Sequence, residues 1–309
     1  MNNQQFSVIP DTSNYWLKNA HVPVCLIESE LDISSQTREG LSLVDIEIKE
    51  GVIKQIVQSN GELPSLNNGD IPRVDLKGAM VWPCFVDMHT HLDKGHIWER
   101  SPNLDGSFNG ALDAGARDGE KYWNAEDIYR RMEFGLKCSY AHGTKAIRTH
   151  IDCFGEQANI SLEVFQTLQK QWEDRLILQP VSLVGGDYYL TQAGEKLANQ
   201  VADVGGILGG VPFMSSDVDN QLDRLFSLAK ERQLDLDLHT DENGDPNSRV
   251  LHKVAEKAIS YQFPGKIICG HCCSLAVQTP EKVIETLKLV KEAGISLSLI
   301  HISEPTRLE

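Results

Sequence analysis

From Met80 onward the sequence alternates apolar runs of strand length with amphipathic segments of helical period, and few architectures accept that alternation. Candidate strands are Met80–Asp87, Lys145–His150, Arg175–Val184, Gly206–Val211, Leu234–His239 and Lys266–His271, with a seventh beginning at Ile295. The apolar periodicity between them predicts helices over Ala125–Ala141, Leu162–Glu173, Ala193–Val201, Asp219–Arg232, Ser248–Tyr261 and Pro280–Ala293. Consecutive βα units of this kind point to an α/β chain of the TIM type, a (β/α)8 barrel truncated before strand eight. The rival is a doubly wound open sheet, and no glycine-rich phosphate fingerprint supports it.

The pattern before residue 80 differs. Val22–Ile27, Leu43–Lys49 and Gly51–Val57 read as short strands, the last two joined by a tight Glu50-Gly51 turn and followed by a polar loop over Gln58–Asp70. Residues 1–79 are therefore expected to form the N-terminal part of a small β domain, a sandwich portion beside a barrel of residues 80–296. The last residues, 297–309, stand apart. Leu297–Arg307 reads LSLIHISEPTR, the peptide that a transposase adapter used in sequencing libraries would encode. This stretch is expected to be a non-native adapter-derived or cloning tail, so His301 carries no functional weight.

Charge and cysteine usage narrow the function. A net charge of −15 argues against nucleic-acid or anionic-membrane binding, and leaves a small neutral molecule as the expected partner. No apolar run approaches the roughly 18 residues of a membrane span, and Met1–Thr12 lacks a secretory pattern, so the expected location is cytoplasmic. Seven scattered cysteines fit reduced thiols. A barrel lacking a strand exposes sheet edges, which leaves room for a homo-oligomer.

The chemistry-bearing residues lie at strand ends. His89 and His91 close the first strand, and residues two apart on a strand point the same way. Both imidazoles can thus face the C-terminal mouth of a barrel, where imidazole suits zinc or iron. A lone His-x-His is equally a pair of solvated loop histidines. Here, however, His239 ends the fifth strand and His271 the sixth, so three strands end in histidine at one rim. Glu242 follows His239 by three residues, either as a proton carrier or as a surface carboxylate of the Asp-Glu-Asn-Gly-Asp turn. On strand two, His150 and Asp152 either face the same mouth or leave Arg148 and Asp152 as a structural ion pair. Asp93 and Lys94 either orient ligands or simply begin the first loop, with Lys94 solvated. Cys269-Gly-His-Cys272 has redox-motif spacing in the wrong context, inside a barrel unit.

His-Thr-His-Leu-Asp at 89–93, Arg148-Thr-His-Ile-Asp152, His239-Thr-Asp-Glu242, His271 and Phe108-Asn-Gly110 together resemble the amidohydrolase superfamily, within it the cytosine-deaminase-like branch. The resemblance runs from about Tyr15 to Gly294. It implies that His89, His91 and His239 bind one divalent ion, Zn or Fe, with a strand-eight aspartate that this chain does not reach. It further implies that His271 hydrogen-bonds the attacking hydroxide or the tetrahedral centre, and that Glu242 shuttles protons to a ring nitrogen. The reaction so implied is hydrolytic deamination of a cytosine-like nucleobase or related cyclic amidine by hydroxide held on the metal. The fourth strand has no lysine that could bridge two ions, which fits a mononuclear site. In Val181–Asp187 a glycine stands where bacterial cytosine deaminases place a glutamine, so other cyclic amidines and substituted aminotriazines stay open. So do a cyclic-amide ring-opening enzyme and an inactive, truncated metal-binding or interaction protein.

Overall fold

The computed structural model describes residues 8–27, 36–59 and 71–298. Most of the polar loop before Asp70, and the tail from residue 299 with His301, lie outside the described residues. The chain divides into two compact units, Met1–Cys84 and Phe85–Glu309.

The first unit is a four-stranded sheet of β1 (Tyr15–Pro23), β2 (Leu41–Lys49), β3 (Val52–Gln58) and β4 (Arg73–Asp75), in the order β3-β2-β1-β4. Alternating burial along β1 and β2 places Ala20, Val22, Val44 and Ile46 in its core. Lys49 pairs with Val52, so Glu50 and Gly51 alone make the hairpin turn. Both have positive φ, the backbone of the tight turn that their sequence predicts. The first strand lies earlier than the apolar run Val22–Ile27, because Pro23 has no N–H to continue a ladder and Val24–Leu26 turns into a 3-10 helix.

The second unit alternates β5 (Phe85–Thr90), α1 (Phe108–Tyr122), α2 (Ala125–Ala141), β6 (Thr144–Asp152), α3 (Gln157–Gln171), β7 (Ile177–Leu183), α4 (Gln192–Asp203), β8 (Leu208–Gly210), α5 (Val218–Arg232), β9 (Leu236–Thr240), α6 (Val250–Ser260), β10 (Ile267–His271), α7 (Pro280–Glu292) and β11 (Ser296–Ser298). The strands run parallel in sequence order, as sheets β5-β6-β7 and β8-β9-β10-β11. Parallel bridges Val181–Ile207 and Gly185–Val211 link β7 to the β8 stretch. This is an α/β fold with parallel sheets. Its first strand begins at Phe85 rather than Met80: Pro83 interrupts the run, and Met80 pairs with His21 in the other sheet.

Local signals explain the helices. Ser107, Asn124 and Thr191 each accept a backbone N–H in the first turn of α1, α2 and α4. The buried faces of α3, α5 and α6 pack on the strands through Phe165, Phe226, Leu251 and their neighbours, each such side chain contributing about 1.5–3 kcal/mol. Glycine is required on β8, where a side chain at Gly209 would lie 2.3 Å from the Ser182 carbonyl. Tyr189 fills the space beside it and donates to the Gly209 carbonyl at 2.5 Å. Among the described residues no helix is long and apolar enough to cross a membrane.

The β5–α1 connection is pinned by one buried carboxylate. Asp118 accepts from Arg100 Nη2 at 2.7 Å, Ser101 Oγ at 2.7 Å and Trp123 Nε1 at 2.8 Å. Burial alone would raise its pKa, but these donors more than reverse that, and the carboxyl titrates below its usual value. The stabilisation is therefore complete above the unfolded pKa of about 3.9 and is lost as pH falls through the lower folded value. Asp118→Asn is expected to cost about 1.5–3 kcal/mol at neutral pH and progressively less below about pH 4. Denaturant titrations showing an equal loss at both pH values would contradict this.

Candidate metal centre

The parallel strands bring five imidazoles together. His89 and His150 come from β5 and β6, His239 and His271 from β9 and β10, and His91 lies just past β5. Ring centroids are 4.1 Å apart for His89 and His150, 4.7 Å for His89 and His239, 4.7 Å for His150 and His239, and 4.6 Å for His239 and His271. His91 Nε2 is 3.5 Å from His239 Nε2. Gly270 allows this approach, since a Cβ there would stand 3.2 Å from His89 Cε1. His150, His239 and His271 are buried, and His89 and His91 are half-buried. Among the described residues, the ligand atoms of His89, His150 and His239 lie within 4.8 Å of one another.

Burial sets the protonation of His91 and His239. It pushes the His91 pKa down to about 2, with help from Lys94 and the neighbouring histidines, and it holds His239 still lower. Both rings are neutral at physiological pH and offer lone pairs. The Nδ1 atoms of His91, His150 and His239 are buried and have no hydrogen-bond partner. Each such nitrogen costs about 1–3 kcal/mol if nothing binds it. A divalent ion is the ligand that several convergent imidazole nitrogens suit, so the residues present fit a metal.

A ring of ion pairs supports the cluster. Asp237 lies beneath His150, with Oδ1 3.2 Å from His150 Nε2 and Oδ2 2.8 Å from Arg148 Nη1. The Arg148–Asp152 pair is therefore absent: Arg148 reaches across to Asp237 on β9, while Asp152 is taken by Lys94 Nζ at 2.8 Å. Lys94 is thus a paired side chain rather than a solvated one. Asp93 is fully buried and accepts the Asp152 N–H at 2.8 Å. Burial, reinforced by the Asp152 charge, raises its pKa to about 7.

Glu242 reaches into the site. Its Oε1 is 3.2 Å from His271 Nδ1, and its side chain is only 20% exposed, unlike a surface turn carboxylate. Two loops hold this pair. Asp241, at φ 51°, turns its carboxylate onto the start of α6, accepting from Val250 N at 2.9 Å, Leu251 N at 2.9 Å and Ser248 Oγ at 2.6 Å. His271 and Cys272 also have positive φ, and Cys272 N donates to the Thr240 carbonyl at 2.9 Å. Such backbone is costly for residues other than glycine and concentrates at functional sites. Cys269 and Cys272 are buried free thiols with pKa values raised by burial, that of Cys272 to about 11, so neither is a reactive thiolate.

Reading the sequence left His150 open and missed Asp237. The signal was present: Arg148 and His150, like Asp237 and His239, are two apart on strands and share a face.

The chain is similar to known proteins over most of its length. It is 43% identical over 289 residues to a pterin deaminase from Rhizobium rhizogenes (strain K84 / ATCC BAA-868), an alignment that covers 93% of this chain and 64% of that protein. It is 30% identical over 240 residues to the N-isopropylammelide isopropyl amidohydrolase of Pseudomonas sp. (strain ADP), covering 75% of this chain and 59% of the relative. The chain thus spans less than two thirds of either curated relative. The 5-methylcytosine deaminase of Klebsiella pneumoniae with 5-fluorocytosine bound superposes with a TM-score of 0.74 at 21% identity, covering 91% of this chain and 64% of that one. No protein-family model matches the chain.

Asp241→Ala would strip the α6 N-terminus of its acceptor. We expect a loss of about 1–3 kcal/mol, read as a lower midpoint in thermal unfolding. An unchanged midpoint would remove Asp241 from this role.

Proposed function

Because the chain belongs to the amidohydrolase superfamily, we propose that it is the catalytic part of a metal-dependent hydrolytic deaminase acting on a pterin-like or cytosine-like cyclic amidine. The observation that supports this most is the buried imidazole cluster, with His91 and His239 neutral and with unsatisfied Nδ1 atoms, beside the His271–Glu242 pair. The names of the relatives favour an aminated heteroaromatic ring.

His89, His91 and His239 are the residues we assign to one divalent ion, zinc or iron. When bound, the ion supplies Lewis acidity that brings the pKa of water towards about 7. The carbon bearing the amino group gains oxygen from water, and ammonia leaves. Glu242 moves the protons, first to a ring nitrogen and then to the departing amine. His271 holds Glu242 by the 3.2 Å contact and stabilises charge at the carbon under attack. The loop after β7 supports a substrate other than cytosine. A Cβ at Gly186 would stand 2.7 Å from Gln221 Oε1 and 3.1 Å from Pro212 Cα, so a larger residue there is crowded.

The architecture we propose with this chemistry is a closed barrel. His89 on β5 and His271 on β10 are five positions apart in strand order, a span of about 24 Å in a flat sheet. Their ring centroids are 5.1 Å apart. Such curvature supports closure, with the smaller sheet as part of an N-terminal β-sandwich portion.

Ammonia release from pterin, cytosine and aminotriazines tests the reading, with loss of rate on chelation and recovery with zinc or iron. Glu242→Gln is expected to lower kcat by about 10²-fold or more and to leave metal content unchanged. Wild-type rates in that variant would take Glu242 out of its role. Carboxylate formation without ammonia would replace deamination by ring opening.

A further inference from the structure

His150 and Asp237 have no task in the reaction just described, yet they are among the most deeply buried polar groups of the second unit. We propose that His150 is a fourth imidazole of the metal centre, and that Asp237 and Arg148 are positioning residues that fix its tautomer.

The inference rests on how each nitrogen of His150 is used. The ring is 0% exposed. Nε2 is 3.2 Å from Asp237 Oδ1. Arg148 Nη1 donates to Asp237 Oδ2 at 2.8 Å, which leaves Oδ1 to face His150, while Arg148 itself is held through Nε and Nη2 by Gln179 Oε1 at 3.1 and 3.0 Å. The Asp237 oxygen facing Nε2 is the acceptor of that contact, so Nε2 donates and the lone pair is left on Nδ1. That Nδ1 is buried without a hydrogen-bond partner. His150 also contributes a ring nitrogen to the trio, with those of His89 and His239, that lie within 4.8 Å of one another. A histidine kept for packing alone has no reason to hold one nitrogen by a buried carboxylate and leave the other unsatisfied. A carboxylate that orients a metal-facing imidazole has that reason. The ligand chemistry is that of a borderline divalent cation such as Zn2+ or Co2+.

This inference depends on the cluster being a metal centre, and one experiment separates the two ideas. Chelator-stripped protein is titrated with Co2+, following the visible absorption of the bound ion, with competition by Zn2+ and with circular dichroism as the fold control. The wild type is expected to bind one ion per chain. His150→Gln is expected to weaken binding and alter the Co2+ spectrum. Asp237→Asn is expected to weaken binding about 10–100-fold and shift the spectrum, with partial recovery in Asp237→Glu. A folded His150→Gln with wild-type affinity and spectrum overturns the proposal while sparing the metal centre. If His150→Gln does not fold, an unchanged spectrum in Asp237→Asn overturns it instead. Absence of binding by the wild type removes the metal centre and this inference with it.

Discussion

Burial of several imidazoles at one end of a parallel sheet is the constraint on which the rest of the site depends. Removing His91 and His239 from water makes their protonated forms too costly, so both rings are neutral bases. Neutrality has a consequence of its own. Protonated, these two rings would repel each other, whereas neutral rings with centroids 5.4 Å apart can share one cation. The unsatisfied Nδ1 atoms make the cluster incomplete as protein alone.

Much of the surrounding structure serves to hold those rings still. Gly270 yields the space that His89 occupies. Asp237 and Arg148 fix His150 from below, and Lys94, Asp152 and Asp93 link the end of β5 to the end of β6. On the opposite side, Asp241 ties the Glu242 loop to the start of α6, and the Cys272 amide ties the β10 turn to β9. The strained backbone at Asp241, His271 and Cys272 costs stability, and the hydrogen bonds around it offset that cost. Preorganisation of this kind is what electrostatic catalysis requires.

The alternation of apolar runs made the parallel α/β fold legible, because helix caps such as Asn124 and Thr191 stand where local propensity puts them. Element ends were harder to read. Proline moved the first strand of each unit: Pro23 ended one early, and Pro83 delayed the other to Phe85. In the site, His89, His91, His239 and His271 were readable because each closes an apolar run. Glu242 followed from its distance to His239. The partners of His150 and Asp152 were not readable. Asp237 and Lys94 lie 87 and 58 residues away from them, and strand order, not local sequence, decides who meets whom. Alternation along β6 puts Arg148, His150 and Asp152 on one face, but does not say which strand's residues that face meets.

Anomalous diffraction at the metal edge, on crystals of the protein grown with zinc, addresses the histidine centre most directly. A single peak about 2.0–2.1 Å from imidazole nitrogens of the His89 and His239 cluster is expected. A map with no peak among these rings, or with its peak on the thiols of Cys269 and Cys272, would contradict the assignment.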